Sequence, residues 1–315
     1  MDLKLKGKVA MVAASSKGLG YGIAEALAQE GASLSIGSRT EKEIETVAEK
    51  LRRETGISVL ANVLDSSNPQ SIKKWTDATI KEFKGIDKLV INAGGPPAGK
   101  FEDFSDEDWQ EAFELNLFSA IRMIRATLPS MRKRGGGSVL TVTSMSVKEP
   151  IDVLILSNVM RSGVTSLVKS LSAQLASDNI RLNNLMPGRI NTDRIRSLDS
   201  MNSEKMGVSI EKIQEASYNN IPMGRYGTIE EFGRCGAFLL SDAASYITGS
   251  SLAVDGGALK TVWYLRFKIF AFLTILMIKR KRPFHCLAFC LPKVGLLKTA
   301  IYILKNDQSQ RCKCL

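Results

Sequence analysis

The chemistry in this chain of 315 residues concentrates in two short stretches. The first, SSKGLGYGIAEALAQEG, directly follows the apolar run KVAMVAA and carries Gly18, Gly20 and Gly22. Glycines there strip side chains from the start of a helix, so a phosphate can reach main-chain N–H groups, and the helix dipole favours its charge. The second, LSNVMRSG, places Ser157 four residues before Arg161. An alkyl hydroxyl is a far weaker acid than a phenol, which ionises at about 10. A guanidinium keeps its charge and does not shuttle protons. This pair is therefore suited to holding hydroxyls or polarising an oxyanion rather than to giving up a proton.

Both stretches need a scaffold, and the hydrophobic pattern supplies one. Short apolar runs (KVAMVAA, ASLSIGS, ISVLANV, DKLVINA, GSVLTVTS, IRLNNLMP, SLAVDGG) alternate with stretches of helical period such as EKEIETVAEKLRRE and DEDWQEAFELNLFSAIRMIRATLPSMRKR. Alternation of this kind predicts one α/β domain, a doubly wound seven-stranded parallel sheet of Rossmann type with helices on both faces. Asn68 before Pro69 marks a helix start.

Three motifs in register, Ala13 to Gly20, Asn92-Ala93-Gly94 after the fourth strand and Pro187-Gly188 after the sixth, resemble the short-chain dehydrogenase/reductase family over residues 5 to 260. The resemblance implies an NAD(P)(H) site at the carboxyl edge of the sheet, built from Ser16, Lys17, Gly18, Leu19, Gly20, Ser38, Arg39, Asn62, Val63, Asn92, Ala93, Gly94, Arg161, Pro187, Gly188 and Thr192. Two departures, Ala14 for the family's first glycine and Ile91 for an asparagine, predict weakened rather than lost binding. Ser38 and Arg39 stand where NAD-using members place an acid, and Lys17 matches a second basic position, so NADP(H) is expected over NAD(H).

The family works with an asparagine, a serine, a tyrosine and a lysine. Asn116 and Ser144 match the first two, while Ser157 and Arg161 occupy the places of the tyrosine and the lysine. The expectation is an NADP(H)-dependent oxidoreductase of the 3-oxoacyl-carrier-protein reductase kind acting on a small carbonyl or alcohol substrate. The alternative is a catalytically impaired nucleotide-binding scaffold or regulator. Asp152, Tyr218 and Tyr226 are candidates for a substitute proton donor. The stretch from Arg194 to Arg225 corresponds to the family's mobile substrate loop, in which Met201, Met206, Ile210, Ile213 and Met223 either line an apolar pocket or pack on the core. A homo-oligomer through the long helices is expected, as family members form.

The formal charge of +11 sits almost wholly in residues 262–315, where eleven Lys and Arg face one acid, Asp307. The body, residues 1–261, is near neutral, which excludes a nucleic-acid footprint spread over the domain. Its single cysteine, Cys235, suits a reduced, cytoplasmic chain, and MDLKLKGKVAMVAA leads into a glycine turn, unlike a signal peptide. The extension reads VWYLRFKIFAFLTILMIKRKR at its start. Its charge-free run is too short for a clean membrane span, so peripheral contact with anionic lipid and translation past a natural stop are the readings retained. Cys286, Cys290, Cys312 and Cys314 beside His285 match no common zinc spacing, and no metal is expected.

Overall fold

A computed structural model describes residues 1–261; the readings made for the extension, lipid contact and zinc spacing alike, lie outside them. The strands are β1 (Val9–Ala13), β2 (Ser33–Ser38), β3 (Val59–Val63), β4 (Lys88–Ile91), β5 (Gly137–Val142), β6 (Ile180–Pro187) and β7 (Ser251–Val254). They form one sheet in the order β3-β2-β1-β4-β5-β6-β7, and every pairing is parallel. All seven apolar runs of the sequence became strands.

Two layers of helix cover the sheet. On one face α1 (Gly18–Gln29), α2 (Glu41–Thr55) and α9 (Ile229–Leu240) bury Ile23, Leu27, Ile44, Leu51 and Phe232. On the other, α3 (Pro69–Phe83), α5 (Ser119–Lys133) and α6 (Ile155–Gln174) bury Ile72, Trp75, Met123, Ile124, Val164 and Val168. Each such side chain contributes about 1.5–3 kcal/mol on transfer from water. Asn68 caps α3 as its sequence predicts, its Oδ1 accepting from the N–H groups of Gln70 (2.8 Å) and Ser71 (3.1 Å). Backbones of α1 and α9 touch at Gly22 and Gly233: a Cβ on Gly233 would lie 2.1 Å from the Gly22 carbonyl oxygen.

The long helix expected from Asp106 to Arg134 is continuous in direction but not in winding. It comprises α4 (Asp106–Ala112), a π-helical turn over Phe113–Phe118, and α5. Wide turns of this kind recur at functional sites, and this one carries Asn116. The segment likened to a mobile loop folds as α7 (Asp193–Met206) and α8 (Ile210–Asn219). Of the five apolar residues singled out in it, Met201 (57% exposed), Met206 (67%), Ile210 and Met223 point to solvent, and Ile213 is buried.

The chain leaves β1 for β2 and β3, then returns to lay β4 on the other side of β1. Where strand order reverses, the loops after β1 and β4 turn apart and open a crevice at the carboxyl ends.

Candidate active site

That crevice is a cleft of about 1360 Å³. It is lined by Ser16, Lys17, Gly18, Leu19, Ser38, Arg39, Asn92, Ala93, Gly94, Ser144, Ser157, Arg161, Pro187, Gly188 and Thr192. Gly20, Asn62, Val63 and Asn116, expected from the sequence to share it, do not line it.

At one end the chain rises from β1 through Ala14 into α1. Ala14 sits at φ +48°, a left-handed conformation that suits glycine, and Gly18 follows at φ +61°. The turn therefore keeps its shape with alanine in the first position. Gly20 lies beneath it: a Cβ there would be 2.4 Å from the Ala14 carbonyl oxygen and 2.7 Å from Asn92 Nδ2. Asn92 Nδ2 donates to that carbonyl at 3.1 Å, tying the end of β4 to the turn. Lys17, the N-cap of α1, makes no side-chain cap hydrogen bond, so the first-turn N–H groups face the cleft without a protein acceptor from that residue. A bare helix start walled by glycines fits the diphosphate of a dinucleotide.

The next wall carries Ser38, buried, and Arg39, exposed, at the end of β2. Glu43 lines the cleft beside them and accepts from Ser16 Oγ at 3.2 Å. Lys17 Nζ lies 3.9 Å from Asp193 across the opening, both exposed. Asn62 turns its amide away, donating to Ser35 Oγ at 3.3 Å, where Trp75 Nε1 also donates (2.9 Å). Val63 faces solvent. Leu64, Asp65, Ser66 and Ser67 form the wall there instead. Glycine-turn residues thus fit a dinucleotide, and the β2 end offers it Arg39 beside the Glu43 carboxylate.

The other end is built on the carboxyl ends of β4, β5 and β6 and the first turns of α6. Arg161 is 7% exposed; its Nη1 donates to the Val142 carbonyl and its Nη2 to the Ala93 carbonyl, each at 3.0 Å. Burial pushes its pKa down to about 10, which leaves it charged at neutral pH. No carboxylate pairs with it among the described residues. Ser144 Oγ accepts the Ser146 N–H at 3.1 Å, which leaves its own O–H free to donate. The Ser157 side chain, half-buried on the first turn of α6, has no hydrogen-bond partner among the described residues. Thr143 Oγ1 is buried without a partner, and so is Asn116 Oδ1, whose Nδ2 donates to the Ala112 carbonyl at 3.2 Å.

None of the three candidate proton donors reaches this end. Asp152 is exposed, Tyr218 packs edge-on against Tyr226 at 4.9 Å, and none of the three lines the cleft. Tyr226 is buried and donates to Asp199 Oδ2 at 3.0 Å; burial first, and that bond after it, push its pKa up. Among the described residues no tyrosine, cysteine or histidine lines the cleft.

Sequence reasoning missed Arg194. It lines the cleft near Thr192, and its Nη2 donates to the Pro96 carbonyl at 3.3 Å across the opening. Its basic charge in PGRINTDR was the available signal.

Comparison with known proteins gives a consistent picture. Residues 13–258 match a family profile described as enoyl-(acyl carrier protein) reductase. The chain is 35% identical over 255 residues to dehydrogenase/reductase SDR family member 4 of Oryctolagus cuniculus, covering 81% of this chain and 94% of the relative. The Caenorhabditis elegans protein of that name is 35% identical over 257 residues, covering 81% and 96%. Among solved structures, L-sorbose reductase of Gluconobacter frateurii, complexed with NADPH and L-sorbose, superposes with a TM-score of 0.80 at 32% identity, covering 83% of this chain and 100% of that one. YwfH, an NADPH-dependent reductase involved in bacilysin biosynthesis, gives 0.78 at 30% identity, covering 81% and 99%.

Proposed function

Because the chain belongs to the short-chain dehydrogenase/reductase family, we propose that it is an NADP(H)-dependent oxidoreductase that moves a hydride between nicotinamide and a carbonyl or alcohol compound. Arg161 and the hydroxyls of Ser144 and Ser157 take the place of the family's acid at the substrate oxygen. The observation that carries this reading is Arg161, buried on the cleft wall with no carboxylate partner among the described residues, in a cleft also lined by the hydroxyls of Ser144 and Ser157, which have no acceptor among them.

When bound, the nicotinamide supplies or accepts the hydride. The chain's own groups do the rest. First-turn N–H groups of Gly18 and Leu19 hold the diphosphate. Arg39 grips a 2′-phosphate with paired hydrogen bonds, helped by Lys17. Asn92, Ala93 and Gly94 leave a flat floor, and a Cβ at Gly94 would meet nothing within 4 Å. Thr192 faces the carboxamide. Arg161 and Ser144 attract charge that develops on the substrate oxygen.

Titration with NADPH and NADH, followed by a carbonyl panel headed by 3-oxoacyl thioesters and ketoses, tests this. NADPH binding with turnover is expected. Among the described residues the cleft carries no phenol, thiol or imidazole, which favours a second reading, a nucleotide-binding regulator, for which NADPH binding without turnover is the expected result. Failure to bind either nicotinamide rejects both.

A further inference from the structure

We propose that the substrate carries a carboxylate set apart from its reacting carbon, and that Arg194 at the cleft opening holds it; this rests on the hydride-transfer reading above.

The stretch PGRINTDRIR places three arginines within eight residues, and acids match two of them. Arg189 Nη1 lies 3.2 Å from Asp199 Oδ1, a buried carboxylate. Arg196 Nη2 pairs with Asp193, and its Nη1 donates to Asn191 Oδ1 at 2.7 Å. Arg194 has no acidic partner among the described residues. Its chain neighbour Asp193 is taken by Arg196 and faces Lys17. Its own single bond, from Nη2 to the Pro96 carbonyl, is long at 3.3 Å. That bond draws the side chain from the first turn of α7 across the opening toward the loop after β4. A Cβ on Gly95 would lie 3.4 Å from the same nitrogen, so glycine leaves that flank of the guanidinium uncovered. Most of a rigid, permanently charged fork therefore stands on the cleft unmatched.

A carboxylate offers the two oxygens that such a fork receives with paired hydrogen bonds. A phosphate dianion calls for a second free cation, and Lys17 at this opening already faces Asp193. The same cleft is lined by the hydrocarbon of Ile151 (37% exposed), Val153 (44%), Leu154, Ile195 and Leu198. Arg161 is buried and Arg194 exposed, so a substrate that meets both spans the depth of the cleft. Its reacting oxygen goes to Arg161 and Ser144, its hydrocarbon to the apolar lining and its carboxylate to Arg194. The class is an oxo acid, or the hydroxy acid that it becomes, with a hydrocarbon spacer between its two ends. Exchange of the acid for a neutral ester removes the charge-assisted pair and keeps the apolar contacts. The pair is the same before and during hydride transfer, so it shows in KM rather than in kcat.

Kinetics of the full chain with NADPH compare 4-oxopentanoate, 5-oxohexanoate and 7-oxooctanoate with their methyl esters. For at least one length the acid should exceed its ester about tenfold or more in kcat/KM. Arg194→Gln should bring that acid and its ester within about twofold of each other, the loss lying in KM. Esters equal to or better than their acids at every length, or an acid preference untouched by Arg194→Gln, overturn the inference and leave the proposed function standing.

A readout without turnover is calorimetric titration of the chain in saturating NADP⁺ with pentanoate, hexanoate and octanoate and with their amides. At least one acid should bind about tenfold or more tightly than its amide, and Arg194→Gln should cancel the difference. Equal affinities at every length overturn the inference, as does a difference that survives Arg194→Gln. Should none of the oxo compounds be reduced while the acids keep their advantage in binding, the proposed function fails and the carboxylate site stands.

Discussion

Arginines stand at both edges of the sheet and tie chain segments together through main-chain carbonyls, and the edges differ in whether a carboxylate stands beside them. At the amino edge Arg181, on β6, donates to the carbonyls of Leu239 and Ile247 at 3.0 Å and of Ser241 at 2.9 Å. Asp242 stands close enough to favour its charge and lies 3.9 Å from Lys88 Nζ. Asp87 accepts from the Val9 N–H at 2.8 Å and from Arg134 Nε at 2.7 Å. At the carboxyl edge Arg161 makes the same kind of carbonyl contacts with no carboxylate partner among the described residues. Where the task is holding strands in register, acids balance the bases. On the cleft the balance is left open, so the field of Arg161 acts on whatever enters.

The largest expected effect probes the carboxyl edge through its backbone. Gly20→Val would drive its side chain into the Ala14 carbonyl and Asn92. NADPH affinity, read by fluorescence titration, should fall about 100-fold, near 3 kcal/mol. Retained affinity would mean that the turn can shift without loss.

The amino edge responds to pH. Burial, the largest influence, lowers the Lys88 pKa to about 8 against the pull of Asp242. An unfolded lysine titrates near 10.4, so between about 8 and 10.4 the unfolded chain holds more protons and stability rises with pH. Lys88→Met should therefore stabilise the neutral-pH protein by about 2 kcal/mol in urea melts, an advantage that shrinks as pH climbs through that window. A variant weaker than the parent at neutral pH would show that pairing with Asp242 outweighs burial.

Arg39→Ala should weaken NADPH by about tenfold and leave NADH nearly unchanged, since only the former loses a phosphate partner. Equal losses for the two nucleotides would make Arg39 an ordinary surface charge. Smallest is Ala14→Gly. Relief of the left-handed conformation is worth about 1–2 kcal/mol and is partly cancelled by the greater freedom of glycine in the unfolded chain. A net gain of up to about 1 kcal/mol in melting experiments is expected, without change in turnover.

Much of this was legible in the sequence. Strand positions followed from apolar runs, the α3 start from Asn68 before Pro69, and the cleft from glycines placed directly after β1. The π-helical turn at Asn116 was not, because one widened turn hardly disturbs an apolar stripe spread over nearly thirty residues. Nor was the anchoring of Arg161, whose partners are carbonyls of Val142 and Ala93; any residue type offers a carbonyl, so no side chain announces the contact. Asn62 was placed in the cofactor site by likeness, and its amide instead meets Ser35, a residue whose buried hydroxyl also serves Trp75. Met201 and Met206 lie on the outer side of α7, where their apolar character has no pocket to report.

The glycine contact between α1 and α9 sets an order of events during synthesis. The helix proposed to seat the diphosphate leans on a partner about two hundred residues downstream, Gly22 against Gly233 with Ile23 against Gly236. Until α9 has left the ribosome, one side of α1 is uncovered, although its own residues were among the first made. On the proposed function, nicotinamide cofactor would be captured late, once α9 is made, and a polypeptide stopped short of Ile229 would expose the apolar side of α1 to chaperones instead of binding nucleotide.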